Sequence, residues 1–159
     1  MLANHVAIRQ AADKLGECQD LRRMCQILKE TLEPIGFDAV RFLKSGKNGY
    51  SSAMIQPMSY SSDGTWLYSW CEREISEAPW ELRLELMNGG TVRWGYLALI
   101  RMSNTEPLPL DLNMLTEEFR SSLSAAIERA TTRLEILEET SSRDGNEKSR
   151  AIAAGTSAD

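Results

Sequence analysis

Histidine is almost missing from this chain: His5 is the only one in 159 residues. General acid–base catalysis in its commonest form thereby loses its usual side chain. The cysteines are few and odd in number, Cys18, Cys25 and Cys71, and none forms a CxxC pair. A structural zinc wants about four Cys or His ligands, so no metal is expected. Cys18 and Cys25 stand seven apart, a spacing that would set them on one face of a helix. They read as small buried hydrophobes in a reducing compartment.

Clustered positive charge is missing too. Lys and Arg number 18 against 23 Asp and Glu, for a net charge of −5. Binding to nucleic acid rests on grouped Lys and Arg, which excludes DNA and RNA as expected partners. The single basic cluster, Arg22-Arg23, falls on a predicted helix and reads as a solvated face. The longest apolar run unbroken by glycine is Tyr96 to Ile100, whereas a membrane span takes about 20 residues. The opening MLANHVAIRQAADKL has neither the basic n-region nor the apolar h-region of a signal peptide. The expectation is a cytoplasmic chain that does not insert into a membrane.

The usual chemical signatures are absent: there is no GxSxG, GxGxxG, Walker loop or HExxH. Glu117-Glu118 and Glu138-Glu139 are adjacent on a helix and so point apart, while a catalytic carboxylate pair has to converge. Glu81 and Glu85 flank Arg83 on the wet face of a predicted strand, an ordinary surface pairing. Cys71 has no visible base beside it. No catalytic residue and no cofactor are expected.

What is present is the pattern of one α+β domain. The length suits a single core, and 42% hydrophobic with 26% charged residues is ordinary globular composition. Ile8, Ala11, Ala12 and Leu15 predict a helix over Asn4 to Leu15, with Asn4 able to cap it and Gly16 able to end it. Leu21, Met24, Cys25, Leu28 and Leu32 predict a second helix behind an Asp20 cap, stopped by Pro34 and Gly36. Strands are predicted at Phe37 to Lys44, weakly at Ser51 to Met58, at Thr65 to Glu72, at Trp80 to Leu86 and at Val92 to Met102. Ser59 to Gly64 reads as a polar loop, and Asn88-Gly89-Gly90 as a hairpin turn.

The strand ending at Met102 carries Trp94, Tyr96, Ala98 and Ile100 on one face and Gly95, Leu97 and Leu99 on the other. Apolar on both faces, it should lie centrally and be covered on both sides. The last helix starts near Asp111, with Leu110 and Leu115 forming a hydrophobic staple. Its stripe is Leu112, Leu115, Phe119, Leu123, Ala126, Ala130, Leu134 and Leu137. The near-heptad spacing fits core packing or a helical dimer seam. Beyond Ala130 the helix outruns a small sheet, which makes Leu134 and Leu137 candidate residues of a homodimer interface.

Trp66, Tyr68 and Trp70 form an aromatic ladder with two readings. The ladder packs in the core, or part of it lines a pocket or an interface, as amphipathic aromatics do. On the second reading the pocket candidates are Trp66, Trp70, Trp80 and Trp94.

The order helix, helix, five strands, long helix, with GFDAVRF after the entry helices and WGYLALIR before the exit helix, resembles a GAF domain over residues 5–137. The resemblance implies a central antiparallel sheet of about five strands, its N- and C-terminal helices packed on one face and a ligand pocket on the other. The cyclic-nucleotide signature of that family and the neighbours of a chromophore-bearing cysteine are missing. WELRLELMNGGTVRWGYLALIRM followed by PLPLDLNMLTEEFRSSLSAAIERA also resembles the cytoplasmic C-terminal extension of bacterial polyprenyl-phosphate N-acetylglucosaminyl-1-phosphate transferases. The membrane helices, acidic pairs and His-rich loop of those enzymes are absent, so the resemblance implies an appendage rather than the catalyst. The expected function is a regulatory or interaction module associated with a membrane-bound glycosyltransferase. The alternatives are a stand-alone small-molecule sensor and an enzyme of unrecognised type.

The expected domain is residues 1–139, followed by a disordered tail over 140–159, rich in Ser, Gly, Ala and charge. Such a segment buries too little apolar surface to offset its ordering entropy. Deleting Thr140 to Asp159 should therefore leave the melting temperature within about 2 °C of the full chain. A larger drop in a thermal melt would show that the tail docks on the domain.

Overall fold

The five apolar positions that repeat through Leu21 to Leu32 are all buried, joined by Ile27, and the side chain of Asp20 accepts from the Arg23 N–H at 2.8 Å. In this, α2 (Leu21–Leu32) is the helix its sequence predicts. A computed structural model describes residues 2–44, 58–60, 64–75, 80–88, 92–103 and 106–155. Helix α1 (Leu2–Glu17) precedes α2. Asn4 lies inside it rather than at its cap, and its side-chain amide donates to the Pro109 carbonyl at 2.8 Å. Cys18 sits past the end of α1, so it shares no helix with Cys25. After α2 the chain reverses through Gly36, whose φ of +111° suits a residue without a side chain.

The strands are β1 (Ala39–Lys44), β2 (Ser59–Tyr60), β3 (Trp66–Ser69), β4 (Trp80–Asn88) and β5 (Val92–Arg101). They form one antiparallel sheet in the order β2-β3-β1-β5-β4. Four of them have four residues or more. β2 is a two-residue pairing at the margin, where sequence composition predicts only loop. The weak strand expected over Ser51 to Met58 lies, except for Met58, outside the described residues, as do the two glycines of the expected hairpin turn.

Pairing aligns Val40 with Leu99 and Phe42 with Leu97, and on the far side Leu84 with Leu97 and Leu82 with Leu99. These side chains form one apolar row across the sheet, and the helices pack on it. Ile8 and Leu15 of α1, Leu28 of α2 and Phe119, Leu123 and Ile127 from the C-terminal helix all join the same core. Ala39 and Ile100 belong to a smaller cluster on the other face, closed by Ile75 from the β3–β4 connection. β5 is thus covered on both sides over its last turn of alternation, and Leu97, Ala98, Leu99 and Ile100 are all fully buried.

The C-terminal helix begins with Asp111, whose carboxylate accepts from the Asn113 N–H at 3.0 Å. Leu110 and Leu115 are both buried, as a staple requires. Leu112 is exposed instead of joining the stripe: it lies in the turn ahead of the first helical residue, Asn113, and a π-turn follows at Leu115–Phe119. The main helix, α3, then runs over Arg120–Gly155. Helix therefore continues through residues whose composition predicts no order. Adding residues to an existing helix is far cheaper than nucleating one. Ser142 to Asn146 are exposed all round, so this stretch gains no burial from its helical form.

Leu97→Ala should cost about 2–5 kcal/mol, the range for a leucine truncated in a closed core. Arg83→Ala, on an exposed side chain, should cost no more than about 0.5 kcal/mol. Urea denaturation of the two variants checks the ranking, and a reversed order would mean that β5 faces the other way.

Candidate functional site

The aromatic ladder lies on the helix-covered face. Trp66 is buried, and Tyr68, Trp70 and Trp80 pack half-buried against the main core. The Trp70 indole N–H donates to the Phe37 carbonyl at 2.7 Å, and its ring meets Tyr68 edge-on at 5.8 Å between centroids. Trp80 lies 5.9 Å from the fully buried Phe37 ring. Burial, with smaller contributions from Cys25 and Glu33, pushes the Tyr68 phenol up from its usual pKa. Three of the four pocket candidates, Trp66, Trp70 and Trp80, thus pack on the helix-covered core, Trp66 fully and the other two in part. The side chain of Trp94 lies outside the described residues.

The second face of the sheet is polar at its centre. Arg41 reaches Glu81 at 3.4 Å, and Arg83 binds the same carboxylate from two residues along β4. The Arg83 guanidinium also lies 4.7 Å above the Tyr96 ring. These long side chains lie over Ala98, which is fully buried and is aligned with both Arg41 and Arg83. They form an ion-paired surface, and their stems shield the apolar floor.

Where regular hydrogen bonding stops, polar side chains tie the elements together. Asp38 precedes β1: its N–H donates to the Ile100 carbonyl at 2.8 Å, and its carboxylate accepts from the Met102 N–H at 2.7 Å. Arg120, following the π-turn, donates through Nε to the Thr116 carbonyl at 2.9 Å. Arg129 of α3 reaches the C-terminal end of α1, donating to the Leu15 carbonyl at 2.7 Å and the Cys18 carbonyl at 3.2 Å. A cation at a helix C-terminus also complements its dipole. None of these three roles is readable from local spacing, since each partner is remote in sequence or belongs to a π-turn.

A cleft between α1 and the π-turn, lined by Ile8, Arg9, Ala12, Met114, Glu117 and Phe119, has a volume of about 120 Å³. Sites for small-molecule ligands usually run to about 300–1,000 Å³, so this one holds little more than water. No group of three or more His, Cys, Asp or Glu gathers for a metal ion among the described residues. Burial raises the Cys25 thiol to about 12, reinforced by Cys18 and Asp20; at neutral pH it is a thiol and no nucleophile. All three cysteines are free. No helix among the described residues is long and apolar enough to cross a membrane. The chain matches no family model, no curated protein and no solved structure.

Arg129 thus joins the first helix to the last by two hydrogen bonds from one charged group. Arg129→Met keeps the stem and removes the fork, taking its donor from the Cys18 carbonyl and leaving the Leu15 carbonyl with the Cys18 N–H alone. It should lower stability by about 2–4 kcal/mol, since bonds to charged groups contribute about 1.5–3 kcal/mol each and water replaces part of the loss. Arg129→Lys should recover part of it. Equal stability for wild type and Arg129→Met in urea would show that the fork does not hold α1.

Proposed function

We propose that this chain is a non-catalytic regulatory or interaction module of GAF-like fold that acts with a membrane-bound polyprenyl-phosphate N-acetylglucosaminyl-1-phosphate transferase. One observation supports it above the rest. α3 packs in the core through Leu123, Ala126, Ile127 and Ala130 and continues as a single helix to Gly155. The extension is 155 − 130 = 25 residues, roughly 37 Å at about 1.5 Å per residue. A helix rooted in the sheet layer and cross-tied to α1 by Arg129 can carry a packing change out of the domain as a rigid displacement.

The partners in this reading are the transferase and a second copy of the chain. Leu134 and Leu137, on the extension, remain the candidate seam for that copy; their side chains lie outside the described residues. The sheet order with β1 and β5 at its centre fits the GAF-like reading, as does the helical layer on one face.

The test is a transfer assay in membrane vesicles that contain such a transferase, with and without the purified chain. The rate of GlcNAc-1-phosphate transfer to polyprenyl phosphate should change by about fivefold or more, the scale of ordinary coupling between sites, and the chain should float with the vesicles. A chain truncated after Ala130 should bind without changing the rate. If the full chain neither floats with the vesicles nor alters transfer, the reading fails. A thermal shift with nucleotide sugars alongside that failure would turn it to a free-standing sensor.

A further inference from the structure

β4 lies at one margin of the sheet, and no strand lies beyond it among the described residues. Its middle reads Leu82-Arg83-Leu84-Glu85-Leu86. Leu84 and Leu86 are buried on the helix side, while Leu82 is only half-buried. Arg83 and Glu85 are exposed on the opposite face. The Glu85 carbonyl is approached by Arg120 Nη1 at 3.5 Å, which shows that this carbonyl points away from β5. Alternation along a strand then turns the backbone groups of Arg83 outward as well. The Arg120 contact is at the long limit for a hydrogen bond, so it marks the direction of the carbonyl more than it holds it.

The segment is complementary to itself. If two copies pair antiparallel about a two-fold axis at Leu84, Leu82 falls opposite Leu86 and Arg83 falls opposite Glu85, each twice. The residues whose backbone groups point outward then face one another, which is the phase that antiparallel hydrogen bonding needs. Shifting the pairing so that Arg83 meets Arg83 would also bring Glu81 against Glu85, and both are like-charge contacts. Like charges therefore exclude that shift; a shift to Leu82, which would set Arg83 opposite Glu81, shortens the overlap, so the register about Leu84 is the one favoured. That register also centres the overlap on the middle of Trp80–Asn88, and it gives the half-buried Leu82 an apolar neighbour.

We propose that the outer edge of β4 is a self-association surface on which a second copy of this chain pairs its own β4, in the register Arg83 opposite Glu85, to make one sheet that runs through both copies. Arg83 already binds Glu81 of its own strand, and its remaining donors are free to reach the carboxylate across the interface. The contact is isologous and closes on itself. It is separate from the seam suggested by Leu134 and Leu137, and it stands whether or not a transferase is the chain's partner.

The test measures sedimentation equilibrium and backbone hydrogen exchange on the full chain across a range of concentrations. Arg83→Glu should weaken association by about tenfold or more, because it turns two attractive cross-strand pairs into repulsive ones. Arg83→Glu with Glu85→Arg restores the pairs in reversed order and should recover most of the affinity. The amides of Arg83 and Glu85 should gain protection as concentration rises, and should keep that gain in Leu134→Glu/Leu137→Glu. Circular dichroism and urea melts of each variant check that the monomer fold survives. An Arg83→Glu chain that associates as the wild type does, a double swap that recovers nothing, or concentration-independent exchange at both amides would each overturn the proposal. Association lost in Leu134→Glu/Leu137→Glu but unchanged in Arg83→Glu would overturn it in favour of the helical seam.

Discussion

β5 must be buried on both faces, and most of the molecule follows from that requirement. Leu97 and Leu99 cannot face water, nor can Ala98 and Ile100, so the strand has to lie inside the sheet with a layer on either side. Pairing with β1 and β4 takes both of its backbone edges. The helices supply one layer, because only they carry long apolar stripes. Among the described residues the other layer is thin: Ile75 closes it near Ile100 and Ala39, and the stems of Arg41 and Arg83 pass over Ala98. With β5 interior and β1 beside it, β4 is left at the margin.

The helical layer needs its own fastening, because three helices on one apolar face can slide. Polar bonds at the element ends fix the register. Arg129 ties the end of α1 to α3, Asp38 locks the start of β1 to the end of β5, and Trp70 closes the turn before β1 through the Phe37 carbonyl. Each satisfies a backbone group that regular structure leaves over, and a buried group of that kind is costly when unpaired. The π-turn fits the same logic. It brings Leu115 and Phe119 both into the core, and Arg120 takes up a carbonyl within the widened turn.

The parts of this arrangement that depend on periodicity were legible in the residues. The repeat from Leu21 to Leu32 specifies α2 and its buried side. Alternation in β4 and β5 specifies which side chains go to which face. The parts that depend on distant partners were not. Asn4 looked like a cap because its neighbours are helical, yet the carbonyl it binds is that of Pro109, brought close only by the tertiary fold. Leu112 fits the heptad by spacing, but it lies in the turn ahead of the helix and is exposed. Cys18 fits a helix face by spacing, while the chain has already left the helix there. The aromatic ladder was legible as a ladder, but the face it takes is decided by strand order, which alternation alone does not contain.

That last point governs where recognition can take place. Aromatic rings that bind a ligand have to keep a surface in reserve, whereas Trp66 is buried in the core and Trp70 and Trp80 spend the larger part of theirs against Tyr68 and Phe37. The cleft beside the π-turn is too small for a nucleotide-sized guest. Among the described residues, the outer backbone edge of β4 and the helical run of α3 on to Gly155 stand out as further surfaces. Both are extended and linear, and neither is concave. A strand edge binds by adding a strand, and a free helix binds by laying a face against another element. Shapes of that kind fit partners that are themselves polypeptide, and the proposed role as an interaction module draws on them.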